Sequence, residues 1–465
     1  MSASTRGPRA SDGTATELLG WGRSAGTVAV LHQATSRAEL ADRLQACGSR
    51  GISLRGAGRS AADAASNGGG TAIALAGELR TPEVQSVDWE RRIARLSGGA
   101  SLADVSAELV ARGWFLPVAG RTAHLSVGGA VACDLHGPGH VQHGSIAHAT
   151  VRIELMTASG EITVATPDGP HSDLFWATFG GMGLTGIVLT IDVRVIAVSS
   201  AWMVVDTQRC ESLPELLNTL AETTVSHDYS HARLDVAAAN GRHGRGVVSA
   251  ARHAGVLELP DTRRPTALEF AIADSRRRPR RIPSRLLTER TARALQRAWF
   301  ATAPASRRGE LAPATSYFHS QDEATGWLGW SGRNEVVQYQ FAVPDEAVGL
   351  FDEFLGALLE AGIVASNATM VRFGQLVGGG LSFPMPGWSL ALDLPATAAG
   401  LGAVLDEFDE RLAGVGGRVY LASDTRLQAK LLPAMYPELG TWQATRRAYD
   451  CEGRFASDMS RRLGL

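Results

Sequence analysis

The stretch Arg55-Gly56-Ala57-Gly58-Arg59-Ser60 is the first of three glycine-rich segments in the N-terminal part of this chain. The second runs from Ser126-Val127-Gly128-Gly129 to Cys133-Asp134-Leu135-His136-Gly137, and the third is Gly180-Gly181-Met182-Gly183-Leu184-Thr185-Gly186-Ile187. Because glycine has no Cβ, such segments bring backbone N–H groups close to a phosphate or a flat ring. Together they predict a site for one large anionic cofactor. A Gly-x-Gly-x-x-Gly motif that opens a helix after the first strand is absent, which argues against a Rossmann-type NAD site.

Composition limits the class of protein. The chain has 465 residues, 45% of them apolar, and a formal net charge of −2. This length suits two or three domains, and the charge balance argues against nucleic-acid binding. The four cysteines, Cys47, Cys133, Cys210 and Cys451, have neither metal-ligand nor redox-motif spacing, so we expect free thiols, no metal site and a cytoplasmic protein. No signal peptide or transmembrane helix is expected, while peripheral contact with the inner face of a membrane remains open.

Periodicity predicts a mixed α/β region up to about residue 200 and a second, α+β domain after it. Predicted helices cover 37–46, 101–112, 346–361 and 398–413, and predicted strands cover 51–54, 71–75, 93–96, 151–156, 161–165, 184–195, 336–343 and 390–394. The segment 273–316 carries the basic run Arg276-Arg277-Arg278-Pro279-Arg280-Arg281 and is then rich in Ala, Pro and Ser. We expect a mobile, solvated loop there. The alternative is a lid, or a dock for an acidic partner or lipid head group.

The motifs, in this order, resemble the vanillyl-alcohol-oxidase superfamily of FAD enzymes, and within it the decaprenylphosphoryl-ribose 2'-oxidase family. The resemblance runs nearly end to end. It rests on Gly58-Arg59-Ser60, Asn67-Gly68-Gly69-Gly70, Val127-Gly128-Gly129-Ala130, Cys133 to Gly137, Asp173 to Thr178, Gly183 to Ile187, Gln338 to Phe341, Leu381 to Pro384, Pro386-Gly387-Trp388 and Phe455 to Met459.

The resemblance implies an α+β fold: a two-subdomain α/β FAD-binding domain and a substrate domain built on an antiparallel sheet. The FAD domain would cover 1–196, the substrate domain 197–411, and residues 412–465 would return to the FAD domain. Some superfamily members carry a His that binds flavin covalently where this chain has Ala61, so we expect noncovalent FAD. The implied FAD-binding residues are Gly56, Ala57, Gly58, Arg59, Ser60, Gly120, Thr122, Ser126, Gly128, Gly129, Cys133, His136, Gly137, Gly183, Leu184, Gly186, Ile187 and Tyr420.

Three residues are candidates for catalysis. The resemblance places His136 near the flavin ring, and an imidazole can also accept a proton at neutral pH. It further implies that Gln340 hydrogen-bonds the sugar and that Tyr420 lies over the ring. The implied substrate pocket consists of Trp21, Arg233, Phe318, Gln340, Ser389, Ala391 and Ser423.

The departures from the family concentrate in this pocket. The family's Cys and the neighbouring Asn are Ala391 and Ser389 here, and its Trp is Arg233. Lysines that would stabilise negative charge are replaced by Ser423, Val371 and Pro138, and two tyrosines by Phe318 and Ala61. The family chemistry on an altered substrate is therefore expected.

The leading hypothesis is oxidation of a secondary hydroxyl, on a ribose-like sugar or a sugar-containing small molecule, to a ketone by hydride transfer to flavin N5. This would be the oxidative half of a 2'-epimerisation if a separate NAD(P)H-dependent reductase were its partner. The substrate is lipid-linked in the family, and a soluble substrate is an equal alternative here. Two further alternatives are an alditol or aldonolactone oxidase and a flavin-binding paralogue that has lost its activity.

Overall fold

Two small sheets form the N-terminal lobe. The computed structural model describes residues 13–23, 26–81, 84–236, 244–272, 289–319, 322 and 335–465. The first sheet has the strand order Thr14–Leu19, Gly26–Ala34, Thr71–Leu75, Ile52–Leu54, with an antiparallel first pair and parallel pairs after it. The second sheet is antiparallel, in the order Ser86–Asp88, Ile93–Ser97, Ile187–Arg194, Thr150–Met156, Ile162–Ala165.

The two longest helices of this lobe begin at serine residues that cap them. Ser36 caps Arg37–Gln45 by accepting from Glu39 N, and Ser101 caps Leu102–Ala111 by accepting from Ala103 N. Side-chain caps of this kind satisfy backbone donors that the first turn leaves unpaired. Short helices follow at Val127–Ala132, His140–His143, Ile146–Ala149 and Ser172–Thr178. A two-stranded pair, Trp114–Phe115 with Ile196–Ala197, closes the lobe.

A large antiparallel sheet forms the second lobe. Its eight strands run in the order Ser306–Pro313, Trp202–Cys210, Gly246–His253, Tyr229–Leu234, Asn367–Phe373, Gly387–Pro395, Val336–Val343, Arg418–Val419. The helices Leu213–Ser226, Gly349–Glu360 and Leu401–Gly414 supply buried apolar side chains to the same core as the sheet. Phe354 and Phe408 stack at 4.2 Å between ring centroids there. Because side chains alternate between the faces of a sheet, the other face is left to line a cavity.

The C-terminal residues return to the N-terminal lobe. After the helices Leu432–Met435 and Leu439–Tyr449, Ile52 N donates to Arg454 O at 2.7 Å and Ala456 N donates to Ile52 O at 3.0 Å. The last helix, Asp458–Leu463, carries Arg462, whose guanidinium pairs with Asp63 at 3.0 Å. The short strand Arg418–Val419, however, is part of the eight-stranded sheet, so the return to the N-terminal lobe starts after it.

Part of the predicted basic loop is regular structure. Residues 289–302 form a helix, Ser306–Pro313 is an edge strand paired with Trp202–Cys210, and Ala314–Phe318 is a short helix. The prediction of a mobile loop is therefore wrong from residue 289 onward, because backbone pairing with a neighbouring strand overrides the polar composition. Positions 273–288, including the arginine run, lie outside the described residues.

The remaining regular elements of the described residues are single turns of 3₁₀ helix. They lie at Gly77–Arg80, Val256–Glu258, Arg264–Thr266, Asp345–Ala347 and Ala429–Leu431. Across the part of the chain that the structure describes, no helix combines the length and apolarity needed to cross a membrane.

Candidate cofactor and substrate site

Two adjoining cavities form the candidate site, one inside the N-terminal lobe and one between the two lobes. The first, of about 380 Å³, is lined by the three glycine-rich segments. The second, of about 460 Å³, is lined by the same lobe and by the free face of the large sheet. Both cavities include Arg59, Ser60, Leu125, Gly129 and Cys133 in their walls, so they form one continuous site. A long ligand with one end in each cavity fits this shape.

The first cavity presents unpaired backbone donors. The amides of residues 56–60 donate no hydrogen bond to any residue in the described part of the chain. Gly58 has φ +67°, a left-handed conformation that favours glycine. Across the cavity, Ser126 Oγ accepts from Gly129 N at 3.1 Å and holds the second glycine segment in place. A row of free N–H groups beside a glycine-lined wall fits the diphosphate of a dinucleotide such as FAD.

We expect Gly56→Val to lower the affinity for FAD at least tenfold. A Cβ at Gly56 would overlap with Ser126 Oγ and lie 3.3 Å from Ser126 Cβ, so the two walls of the diphosphate cradle would be forced apart. The measurement is the FAD content of the purified protein, followed by fluorescence titration with FAD. Gly48→Val is the matched control, because an added Cβ there meets no atom within 4 Å. Equal affinities of the two variants would contradict the role of this loop.

His136 lies in the second cavity inside an aromatic cage. Its ring centroid is 5.3 Å from that of Phe373, 5.2 Å from Phe383 and 5.0 Å from Tyr420. Burial in this cage lowers the pKa of His136, although the Asp134 carbonyl and carboxylate act in the opposite direction. The imidazole is therefore neutral at physiological pH and has a lone pair available for proton transfer.

Hydrogen bonds fix which nitrogen carries that lone pair. His136 Nδ1 is 2.9 Å from the carbonyl oxygen of Asp134, which can only accept, so Nδ1 is the protonated nitrogen. Nε2 then accepts from Gln340 Nε2 at 3.1 Å. The Gln340 amide nitrogen also donates to Ser389 Oγ at 3.3 Å, which leaves Gln340 Oε1 as the acceptor for a ligand hydroxyl.

Asp134 holds the loop that presents His136. It is fully buried and has φ +47°, and its carboxylate accepts from Ala147 N and from Ser382 Oγ. A residue in such an unfavourable backbone conformation persists only when its surroundings hold it, and these two hydrogen bonds do so. The Asp134 carbonyl is thereby kept in place to orient the imidazole.

Cys133 lines both cavities, and Tyr420 lines the second one beside it. Tyr420 Oη donates to the Cys133 carbonyl at 3.0 Å. Burial raises the pKa of the Tyr420 hydroxyl well above its usual value and that of the Cys133 thiol to about 11. The thiol is therefore protonated and a poor nucleophile. Noncovalent binding of FAD remains our prediction.

The free face of the large sheet supplies the substrate side of the cavity. Gln340 pairs with Ala391, Ala391 with Thr369, and Thr369 with Arg233, so these four residues form one row across four strands. Val371 lies on this face as well, whereas Arg372 faces away and its guanidinium stacks on Trp388 at 4.7 Å. Arg372 therefore cannot take the place of the lysine that the resemblance implies at position 371.

Most of the predicted site residues line the two cavities. The first cavity is lined by Gly56, Ala57, Gly58, Arg59, Ser60, Ser126, Gly128, Gly129, Cys133, Gly183, Gly186 and Ile187. The second is lined by Trp21, Arg59, Ser60, Gly120, Thr122, Gly129, Cys133, His136, Gly137, Arg233, Phe318, Gln340, Ser389, Ala391 and Tyr420.

Two predicted site residues lie outside both cavities. Leu184 is 2% exposed and packs in the core of the second lobe. Ser423 is 1% exposed, and its hydroxyl donates to the Tyr420 carbonyl at 3.1 Å. Neither side chain therefore lines a cavity, whereas Ala422, next to Ser423, lines the second one.

Several charged residues of the site were missed. Arg121, His231 and Asp393 line the second cavity, and Arg55 and Arg80 line the first. For His231 and Asp393 the signal was available in the sequence, since each lies two positions from a predicted pocket residue on a strand, Arg233 and Ala391 respectively. Arg121 lies in a loop between Gly120 and Thr122, both predicted, and has no such periodic signal.

Comparison with known proteins identifies the class. Residues 28–166 match the family described as FAD binding domain. The chain is 35% identical to decaprenylphosphoryl-β-D-ribose oxidase of Mycolicibacterium smegmatis over 457 residues, 97% of this chain and 98% of that protein. It therefore belongs to this family of FAD-dependent oxidoreductases, and FAD is its cofactor.

Two other relatives differ in coverage. An uncharacterised protein in the mprA 5' region of Streptomyces coelicolor is 38% identical over 76% of this chain and 96% of its own length. L-gulonolactone oxidase of Scyliorhinus torazame is 30% identical over 24% of this chain and 25% of its own length. The likeness to the lactone oxidase is therefore local, whereas that to the ribose oxidase is nearly end to end.

Proposed function

We propose that this protein oxidises a secondary hydroxyl of a ribose-like sugar to a ketone. The observation that carries the proposal is the contact between His136 Nε2 and Gln340 Nε2 at 3.1 Å, in the cavity that continues from the diphosphate cradle. The end-to-end likeness to a protein named as a ribose oxidase favours this substrate over an alditol or a lactone.

In this proposal Gln340 binds the sugar and His136 accepts the proton. Bound FAD supplies the hydride acceptor. Gln340 Oε1 accepts a hydrogen bond from a sugar hydroxyl and orients the ring. The hydroxyl to be oxidised takes the place of the Gln340 amide as donor to His136 Nε2, and the imidazole accepts its proton as the C–H bond breaks. The cage of Phe373, Phe383 and Tyr420 excludes water from this exchange.

The absence of the family lysines changes what surrounds the reacting oxygen. Val371 and Pro138 line the cavity where lysines stand in the family, so neither can neutralise charge on the oxygen. His136 is then the base best placed in the cavity to take the proton. If the ketone is an intermediate of epimerisation, a separate NAD(P)H-dependent reductase completes the reaction.

The test is an anaerobic absorption spectrum of the FAD-loaded protein, before and after addition of matched compounds. We expect methyl riboside or a short-chain polyprenyl-phospho-ribose to bleach the flavin bands, and alditols and aldonolactones to leave them unchanged. The comparison of the two ribosides separates a soluble from a lipid-linked substrate. Bleaching by alditols alone would replace the proposal with an alditol oxidase, and no bleaching by any sugar would favour a flavin-binding paralogue without activity.

A further inference from the structure

We propose that Arg121 and Arg233 form a subsite for an anionic group of the substrate, a phosphate or a carboxylate. The inference rests on the proposed function and narrows its substrate class to acidic sugar derivatives. Both arginines line the substrate cavity, and they come from different lobes: Arg121 from the loop before Ser126, and Arg233 from the strand Tyr229–Leu234.

Arg233 is held in position but has unused donors. Its guanidinium carbon lies 4.1 Å from the centroid of the Trp299 ring, a stacking contact that fixes the plane of the group. Within the described residues its side chain donates no hydrogen bond, and its Nε is buried without a partner. A stacked guanidinium with its whole donor edge free is arranged to receive a planar or tetrahedral anion.

Arg121 shows the same pattern. Its Nη2 is 3.4 Å from Asp393 Oδ2, while its Nε and Nη1 are buried and have no hydrogen-bond partner in the described part of the chain. Asp393 also accepts from Gln338 at 3.2 Å and from Asn367 at 3.3 Å, so its charge is shared among three donors. The carboxylate positions Arg121 and leaves two of its nitrogens for a ligand.

The charge balance of the cavity favours an anion. The described lining includes Arg59, Arg121 and Arg233 against the carboxylates Glu335 and Asp393. Burial, and after it the positive charge of Arg121, lowers the pKa of Arg233. Two guanidiniums that repel each other in a poorly solvated wall are stabilised when an anion lies between them.

The sheet sets the distance from this subsite to the reacting carbon. Arg233 and Gln340 are the ends of the row that crosses four strands, and strands lie about 4.8 Å apart, so their backbones are roughly 14 Å apart. Both side chains are long and shorten this span. A substrate with its oxidised hydroxyl at Gln340 and its anionic group on a substituent of the sugar fits the row.

The test is calorimetric titration of the FAD-loaded protein, whose diphosphate cradle is filled, with dimethyl phosphate and with acetate. We expect at least one of the two anions to bind, and Arg233→Gln and Arg121→Gln each to weaken that binding at least tenfold. The matched control is Arg372→Gln, which removes an arginine stacked on a tryptophan from the opposite face of the same sheet. Thermal melting of each variant checks that the fold is retained.

Binding of dimethyl phosphate alone assigns a phosphodiester group, and binding of acetate alone assigns a carboxylate. The inference is overturned if neither anion binds, or if both arginine variants bind as tightly as the Arg372 control. Anion binding can be measured without turnover, so this test is independent of the flavin-reduction test. Anion binding without flavin bleaching would contradict the proposed function but support the anion subsite. With a substrate in hand, Arg233→Gln should raise KM for the acidic sugar and not for its neutral analogue.

Discussion

We expect replacement of His136 by asparagine to lower the rate of flavin reduction by a factor of about 10² to 10⁴, the usual contribution of a general base. The imidazole Nε2 faces Gln340, and no other side chain of the aromatic cage can accept a proton at neutral pH. The measurement is anaerobic stopped-flow reduction of the FAD-loaded variant with the sugar that bleaches the parent protein.

The control for this experiment is His171→Asn. His171 lies in the same lobe and bonds Tyr449 Oη at 2.9 Å, but it lines neither the cofactor cavity nor the substrate cavity. Its replacement should leave the reduction rate unchanged. A His136→Asn variant that reduces flavin as fast as the control would remove His136 from the mechanism.

We expect acid to weaken the fold, since several histidines are buried in their neutral form. Burial lowers the pKa of His140 to about 3 and those of His231 and His253 to about 4. Their unfolded-state pKa is about 6.5, so below that pH the unfolded chain binds protons that the folded chain does not. We therefore expect the contribution of these histidines to stability to be complete above pH 6.5 and to be lost as the pH falls toward 4.

The expected loss of unfolding free energy is large for a protein of ordinary stability. In this window each such histidine contributes about 1.4 kcal/mol per pH unit, against a typical unfolding free energy of about 5–15 kcal/mol. We expect the melting temperature, followed by circular dichroism, to fall steeply between pH 6.5 and 4.5. His253→Phe should flatten this dependence, because both ring nitrogens of His253 are buried without a partner among the described residues. An unchanged slope would contradict the assignment.

Local patterns predicted much of the fold. The helix at Arg37–Gln45 and the paired strands Thr150–Met156 and Ile162–Ala165 follow from apolar spacing, which acts over a few residues. The strand expected from 184 starts only at Ile187, because Gly186 has φ +154° and precedes the ladder. The edge strand Ser306–Pro313 was not predicted, because its side chains are mostly exposed and show no apolar alternation.

The site was predictable only in part. The glycine segments and His136 lie in short contiguous motifs, so the resemblance to a known family was enough to predict them as site residues. The pairing of Arg121 with Asp393 joins residues from two lobes that are far apart in sequence, and no local pattern encodes it. The row from Arg233 to Gln340 depends on the order of the strands in the sheet, which periodicity does not reveal.

The contact between Ile52 and the segment around Phe455 has a consequence for biosynthesis. The strand Ile52–Leu54, which leads into the first glycine-rich segment, forms backbone hydrogen bonds with residues that lie about 400 positions later in the chain. At about 5–20 residues per second, the ribosome needs roughly 20–80 s to produce them. Until then the N-terminal lobe lacks one side of its core, so stable capture of FAD is expected late in synthesis, after the large sheet has been translated.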